Sequence, residues 1–187
     1  MKVIAVTGYK SHELGIFDQK HDGIYYIKLA LEQRLRSLCE EGLEWVIISG
    51  QLGVELWAAE VVFALKEEFK QLQLAVLTPF LEQEERWQEA AKSHYLEILQ
   101  KADFVDSITK RPYDDPAQLR QKNEFIIMKA EGLLVLYDEE KPGSPRFYLD
   151  IALKRQEKEH FPILFITPSD LDILVQEEQF NRVDYWE

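Results

Sequence analysis

Cysteine occurs once, at position 39, in a chain of 187 residues. One thiol closes no internal disulfide, so nothing in the sequence calls for an oxidising compartment. Long apolar runs are missing as well. No stretch approaches the ~18 consecutive apolar residues that cross a bilayer. The opening MKVIAVTGYK is apolar only from Val3 to Val6 before a turn, a short strand rather than a secretion signal. Positive charge is scarce: Lys and Arg total 22 against 34 Asp and Glu, a formal net charge of −12. That balance argues against general nucleic-acid binding and against an anionic membrane surface, because both need an attractive basic face. A cytoplasmic location, with no membrane insertion, is the expectation.

Other absences narrow the chemistry. There is no G-x-x-x-x-G-K-[ST] phosphate loop, which argues against an ordinary ATPase, and no G-x-S-x-G elbow for a serine hydrolase. His12, His21, His94 and His160 show no metal-ligand spacing, so no metal is expected. Cys39 lies beside an apolar helical stripe and reads as a packed core thiol. Internal repeats, low-complexity tracts and Gly/Ser linkers are also lacking. What is present suits one compact unit: 46% hydrophobic and 12% aromatic residues can fill a sizeable core. The expected organisation is a single domain over 1–187, with 170–187 as an acidic terminal helix or tail carrying Phe180, Tyr185 and Trp186.

Short β-rich runs alternate with helical periodicity. Strands are expected at Lys2–Thr7, Trp45–Ser49, Leu74–Leu77, Phe104–Ile108, Gly132–Tyr137 and Ile163–Ile166. Several are almost continuous in Val, Ile and Leu, as when both sheet faces are covered. Between them, Ile27, Leu31, Leu35 and Leu38 share one helix face, and Val54, Ala58, Val61, Leu65 and Phe69 another. Further helices are expected over Glu82–Lys101, over Pro116–Glu131 with Leu119, Ile126 and Ala130 inward, and over Pro145–Glu159 with Phe147, Tyr148, Ile151 and Ala152. Strands alternating with crossover helices make a three-layer α/β/α, Rossmann-like fold with a mostly parallel, doubly wound sheet of about six strands.

In such a sheet ligands bind beyond the carboxyl ends of the strands, so the turns there carry the functional signal. After the first strand, Thr7, Gly8, Tyr9 and Lys10 open a long loop, of a length typical of lids and ligand clamps. After the second, Ser49-Gly50-Gln51-Leu52-Gly53 leads into a helix whose first turn holds Glu55. A glycine turn at a helix N-terminus can present N–H groups to a phosphate, and Glu55 can accept hydrogen bonds from a ribose or base. After the fifth, Asp138 precedes Pro142-Gly143-Ser144-Pro145-Arg146, with Ser144 placed as a helix cap and Arg146 available for phosphate. Between the fourth and fifth strands, Arg111 and Asn123 lie in the most basic stretch of an acidic chain. The lysines there read as a solvated helix face.

These turns carry a resemblance. VTGYKSHELGIF, SGQLGVELWAAE, RPYDDPAQLRQKN and LYDEEKPGSPRF resemble the YpsA family of Gram-positive bacteria across nearly the whole chain. That family belongs to a Rossmann-like superfamily that includes the DNA-processing protein DprA and the LOG phosphoribohydrolases. The resemblance implies a crevice for nucleotides or nucleotide-derived ligands of the ADP-ribose or NAD type. It maps that crevice onto Gly8, Tyr9, Ser49, Gly50, Gly53 and Glu55, with Asp138, Gly143 and Ser144 opposite, and it implies a link to cell-division control. The LOG enzymes carry P-G-G-x-G-T-x-x-E, whereas this chain has Pro142-Gly143-Ser144-Pro145 without a glutamate at the matching spacing.

The resulting expectation is a regulatory protein that binds a phosphorylated, nucleotide-like small molecule, with cell-division proteins as the implied partners and no obligatory cofactor. A phosphoribohydrolase-type enzyme with Glu55 as its catalytic carboxylate is the alternative. A protein-interaction module with a vestigial pocket is the second.

Overall fold

The computed structural model describes residues 1–183, so the expectations for Tyr185 and Trp186 lie outside the described residues. Six strands form one sheet: β1 (Val3–Thr7), β2 (Trp45–Ile48), β3 (Gln73–Thr78), β4 (Phe104–Ser107), β5 (Gly132–Leu136) and β6 (Ile163–Ile166). The helices are α1 (Asp22–Glu40), α2 (Val54–Leu65), α3 (Glu89–Lys101), α4 (Ala117–Lys129), α5 (Pro145–Gln156) and α6 (Pro168–Val183). Every strand pairing is parallel, in the order β4-β3-β2-β1-β5-β6. The chain therefore winds outward from β1 to β4, then returns to lay β5 along the free side of β1. That reversal between β1 and β5 is the switch point, where the helices that follow the two strands leave on opposite faces.

The near-continuous apolar strands follow from coverage on both sides. Ile4, Val6, Val46, Ile48, Leu74 and Val76 pack with residues of α1, α2 and α3. The alternate positions Ala5, Ile47, Ala75, Leu77, Leu133 and Val135 pack with Ile126 and Ile127 of α4 and Tyr148 and Ala152 of α5. Side chains alternate between faces along a strand, so Thr7 and Ser49 continue the second face at the carboxyl rim. Cys39 is buried in the first core, and burial pushes its thiol up to about 11, as befits a packed group rather than a nucleophile.

Two expectations change. The helix read from Glu82 begins only at Glu89. Glu82 adopts φ 56°, and Leu81 donates its N–H to the Arg111 carbonyl at 2.9 Å, so this stretch is tied to the loop after β4 instead of winding into α3. The inward face of α4 is also rotated. Leu119 is 39% exposed, whereas Gln118, Lys122, Ile126 and Ala130, spaced by four, form the buried stripe. On α5, Phe147 points outward and Tyr148 inward, and Phe180 on α6 is exposed. Among the described residues no helix is long and apolar enough to cross a membrane.

The rotation of α4 has a measurable consequence. Leu119→Ala should change stability by less than about 0.5 kcal/mol, whereas Ile126→Ala should cost about 2–5 kcal/mol, because only the second opens a cavity. Urea unfolding of the two variants checks this; equal losses would place Leu119 in the core.

Candidate functional site

The carboxyl rim at the switch point is organised by one carboxylate. Glu55, in the first turn of α2 and 2% exposed, accepts from the Ser49 N–H at 2.6 Å, the Ser49 hydroxyl at 2.8 Å and the Thr7 hydroxyl at 3.0 Å. The ends of β1 and β2 are thereby pinned to the start of α2. Ser49 is a hub: its carbonyl accepts from Gln83 Nε2 at 2.9 Å, and the same amide donates to the Tyr95 hydroxyl at 3.0 Å. Gly50 lies against the Tyr95 and Gln83 side chains, and Gly8 against Val54.

The glycine at the start of α2 is dictated by close approach. Gly53 has φ 94°, and an added Cβ would lie 2.5 Å from the Tyr9 carbonyl oxygen and 2.6 Å from the Ser11 nitrogen. The first helical N–H, that of Val54, donates to the Tyr9 carbonyl at 3.2 Å. This N-terminus is thus covered by the loop after β1. Gln51 serves locally, its Oε1 accepting from the Leu52 N–H at 3.0 Å.

Opposite, the loop after β5 is clasped to the loop after β1. The buried Tyr9 hydroxyl accepts from the Asp138 N–H at 2.8 Å and lies 2.6 Å from the Lys141 carbonyl. Its ring stacks parallel to Tyr137 with centroids 6.4 Å apart. The Asp138 carboxylate turns to its own loop, accepting from the Glu140 N–H at 3.0 Å. Ser144 occupies the cap position of α5, but its side chain makes no capping bond. Its hydroxyl and N–H both donate to the Glu13 carboxylate, at 2.5 and 2.9 Å.

A second polar group lies beneath this rim. Lys122 of α4 is 6% exposed and donates to the Tyr148 hydroxyl of α5 at 3.1 Å, with its ammonium 4.6 Å from the ring centroid. Among the described residues no carboxylate forms an ion pair with it. Burial lowers its pKa to about 8; the Glu55 charge works the other way, and the Lys10 charge adds to the lowering. The Tyr148 hydroxyl is pushed well above its ordinary value by burial and by Glu55, with Ser49 acting against that shift. Next along α4, Asn123 is 7% exposed and its Oδ1 has no hydrogen-bond partner among the described residues. The solvated-face reading of these lysines fails at Lys122, because α4 turns its polar first half onto the polar rim.

The other anticipated residues spread outward. Arg111 is exposed, its loop held by Gln118, whose Oε1 accepts from the Asp114 and Asp115 N–H groups at 2.6 and 2.9 Å. Arg146 is exposed and faces Asp150 at 3.7 Å, one turn along α5. Thr7, Gly8, Tyr9, Lys10, Ser49, Gly53, Glu55 and Ser144 belong to one connected rim. Lys122, Tyr148, Gln83 and Glu13 were missed as site residues. The usable signal was the four-residue spacing Gln118-Lys122-Ile126-Ala130, which continues an apolar stripe through a lysine.

Two outcomes test this geometry. Gly53→Ala should destabilise the protein by at least about 2 kcal/mol in urea unfolding, since the backbone angle and the Tyr9–Ser11 backbone both oppose a side chain. The second concerns pH. Lys122 has a folded pKa near 8 against an ordinary 10.5, so between those values the unfolded chain binds more protons and stability rises with pH. Below pH 8 the folded state carries the buried ammonium at a cost of roughly 3 kcal/mol. Lys122→Met should therefore match or exceed the wild type in stability at pH 7, and lose that advantage as pH rises to 9.5. A constant difference across this range would contradict the buried charge.

Comparison with known proteins agrees with this architecture. Residues 4–171 match the model of the family described as the YspA SLOG family, YpsA. A UPF0398 protein of Halalkalibacterium halodurans is 64% identical over 181 residues, covering 97% of this chain and 96% of its own. A UPF0398 protein of Bacillus licheniformis is 58% identical over 180 residues, with 96% and 98% covered. Among solved structures, DNA processing protein A from Helicobacter pylori, described for its single-stranded DNA binding mode, superposes with a TM-score of 0.56 at 17% identity. That match covers 88% of this chain and 64% of the other, less than two thirds of its length, and shows a shared fold. With the family model spanning most of its length and relatives at this identity, the chain belongs to the YpsA family of SLOG proteins.

Proposed function

We propose that the carboxyl rim of β1, β2 and β5 binds a nucleotide or nucleotide-derived molecule of the ADP-ribose type, and that the protein is a regulatory binder rather than a hydrolase. The observation that carries this reading is Lys122, a buried cation whose hydrogen-bond acceptor is the Tyr148 hydroxyl rather than a carboxylate; the next residue, Asn123, keeps a buried Oδ1 with no partner among the described residues. An ammonium removed from water without a carboxylate in contact is destabilising, and such groups concentrate where a ligand supplies the missing charge. A phosphate placed over the start of α5 would complete that environment. The half-buried Tyr137 ring, stacked on the buried Tyr9, provides aromatic surface beside it for a sugar or base.

Glu55 supports binding more than catalysis. Three donors already occupy its carboxylate, which makes it a clamp for the rim rather than a free base. Single-stranded DNA, bound by the Helicobacter protein, is not carried over, because a net charge of −12 repels a polyanion. Following the family resemblance, the output of such a switch is a cell-division protein in the cytoplasm, contacted through a surface that changes with occupancy.

Isothermal titration against AMP, ADP, NAD and ADP-ribose tests the reading. At least one should bind, and Lys122→Met, with its circular dichroism unchanged, should weaken that binding by about 10- to 100-fold, the range for a charge-assisted hydrogen bond. Silence from every compound, on folded wild-type protein and on folded Glu13→Gln alike, would sink the proposal. Release of free base from a nucleoside monophosphate, abolished by Glu55→Gln, would replace it with the hydrolase.

A further inference from the structure

The rim contains a carboxylate that performs no task in the core. Glu13 lies in a short 3-10 turn, Ser11–Leu14, within the long loop after β1. Its side chain reaches across to α5 and collects three donors: the Ser144 N–H at 2.9 Å, the Ser144 hydroxyl at 2.5 Å and the Lys10 N–H at 2.9 Å. Gly143 makes room for it, since a Cβ there would lie 2.7 Å from Glu13 Oε2 and 2.9 Å from the Tyr9 ring. An exposed side chain thus sets its charged end against Ser144, the residue that precedes Pro145 at the head of α5. Burial of that end would raise the carboxyl's pKa, yet the bonds from Ser144 and Lys10 outweigh burial and hold it below the usual range.

The same place connects along α5 to the buried polar groups beneath. Ser144 and Tyr148 are four residues apart and so lie on one face of α5, one turn from each other. Lys122 donates to Tyr148, the Lys10 charge bears on Lys122, and Asn123 beside it keeps an unpaired buried oxygen. A carboxylate has the charge and the planar pair of acceptor oxygens to stand where two oxygens of a phosphate would.

We propose that Glu13 is a built-in anionic occupant of the rim, and that an incoming phosphorylated ligand must displace it, releasing the Ser11–Leu14 turn. This rests on the reading of the rim as a ligand site and adds how that site is gated. Displacement breaks the two hydrogen bonds that tie the turn to Ser144 at the head of α5. The freed segment runs through Gly15 into Phe17, which is already 84% exposed, so ligand exchange alters an apolar feature of the surface. The gate makes the site respond to a strong anion more than to water or a neutral sugar, because an anion restores charge-assisted bonds of the strength that Glu13 gives up, and a neutral acceptor does not.

The test compares wild type, Glu13→Gln and Glu13→Asp as full chains, by titration with ADP-ribose and with inorganic phosphate, and by amide hydrogen exchange over residues 10–16. Gln keeps the shape without the charge, and Asp keeps the charge but falls short of Ser144. Glu13 is on the surface, so both variants should fold. The gate predicts that ADP-ribose binds each variant about tenfold or more tighter than wild type. It also predicts that ligand speeds exchange over residues 11–15 in the wild type, and that the variants exchange fast there without ligand. Binding by the variants alone, with a silent wild type, supports the same conclusion. Equal or weaker binding by the variants, or exchange over 11–15 unaltered by a ligand that binds, overturns the gate and leaves the ligand site standing. Failure of all three proteins to bind either compound overturns both.

Discussion

The Glu55 carboxylate is the interaction on which the rim depends. Three donors from two strands converge on it, and each would otherwise be buried without a partner at the point where the sheet stops and water is excluded. A fully satisfied buried carboxylate is costly to disturb, because removing it strands several groups at once. It also sets distances. With Thr7 and Ser49 held to the start of α2, the loop after β1 must cross directly over Gly53, and only a residue without a side chain permits that crossing.

The rim therefore divides into satisfied and unsatisfied parts. Around Glu55, Ser49, Gln83 and Gln118, nearly every donor and acceptor has a partner within the chain, which gives rigid walls. Over α5 the partner is Glu13, a surface residue on a loop, and beneath it Lys122 and Asn123 have fewer partners than their burial demands. Rigid walls around an incompletely satisfied centre are what a preorganised binding site needs: the cost of arranging the groups is met on folding, and the ligand meets them already in position.

Much of the architecture was legible because it rests on short-range pattern. Apolar strands of four to six residues, helices between them and glycine at strand ends lead to a parallel doubly wound sheet whatever the details, since parallel neighbours require long crossovers. The rim residues Thr7, Ser49, Gly53, Glu55 and Ser144 could be located for the same reason: the fold class alone says where ligands go. The start of α3 was misjudged because Leu81 is held by Arg111, thirty positions onward, and no local pattern records that bond.

Composition, strand pattern and glycine placement by themselves determined the fold class, the order of elements and the end of the sheet that carries the site, because those follow from local periodicity and chain connectivity. Only the tertiary structure decided which face of α4 turns inward. That helix begins above the polar carboxyl rim and runs back over the apolar sheet to its amino end, where Glu131 donates to the Val3 carbonyl, so its buried stripe changes from Gln118 and Lys122 to Ile126 and Ala130 along its length. A charge on a helix reads as solvated until its height over the sheet is known. The same holds for Glu13 and Ser144, 131 positions apart in sequence, whose meeting depends on two loops brought together at the switch point.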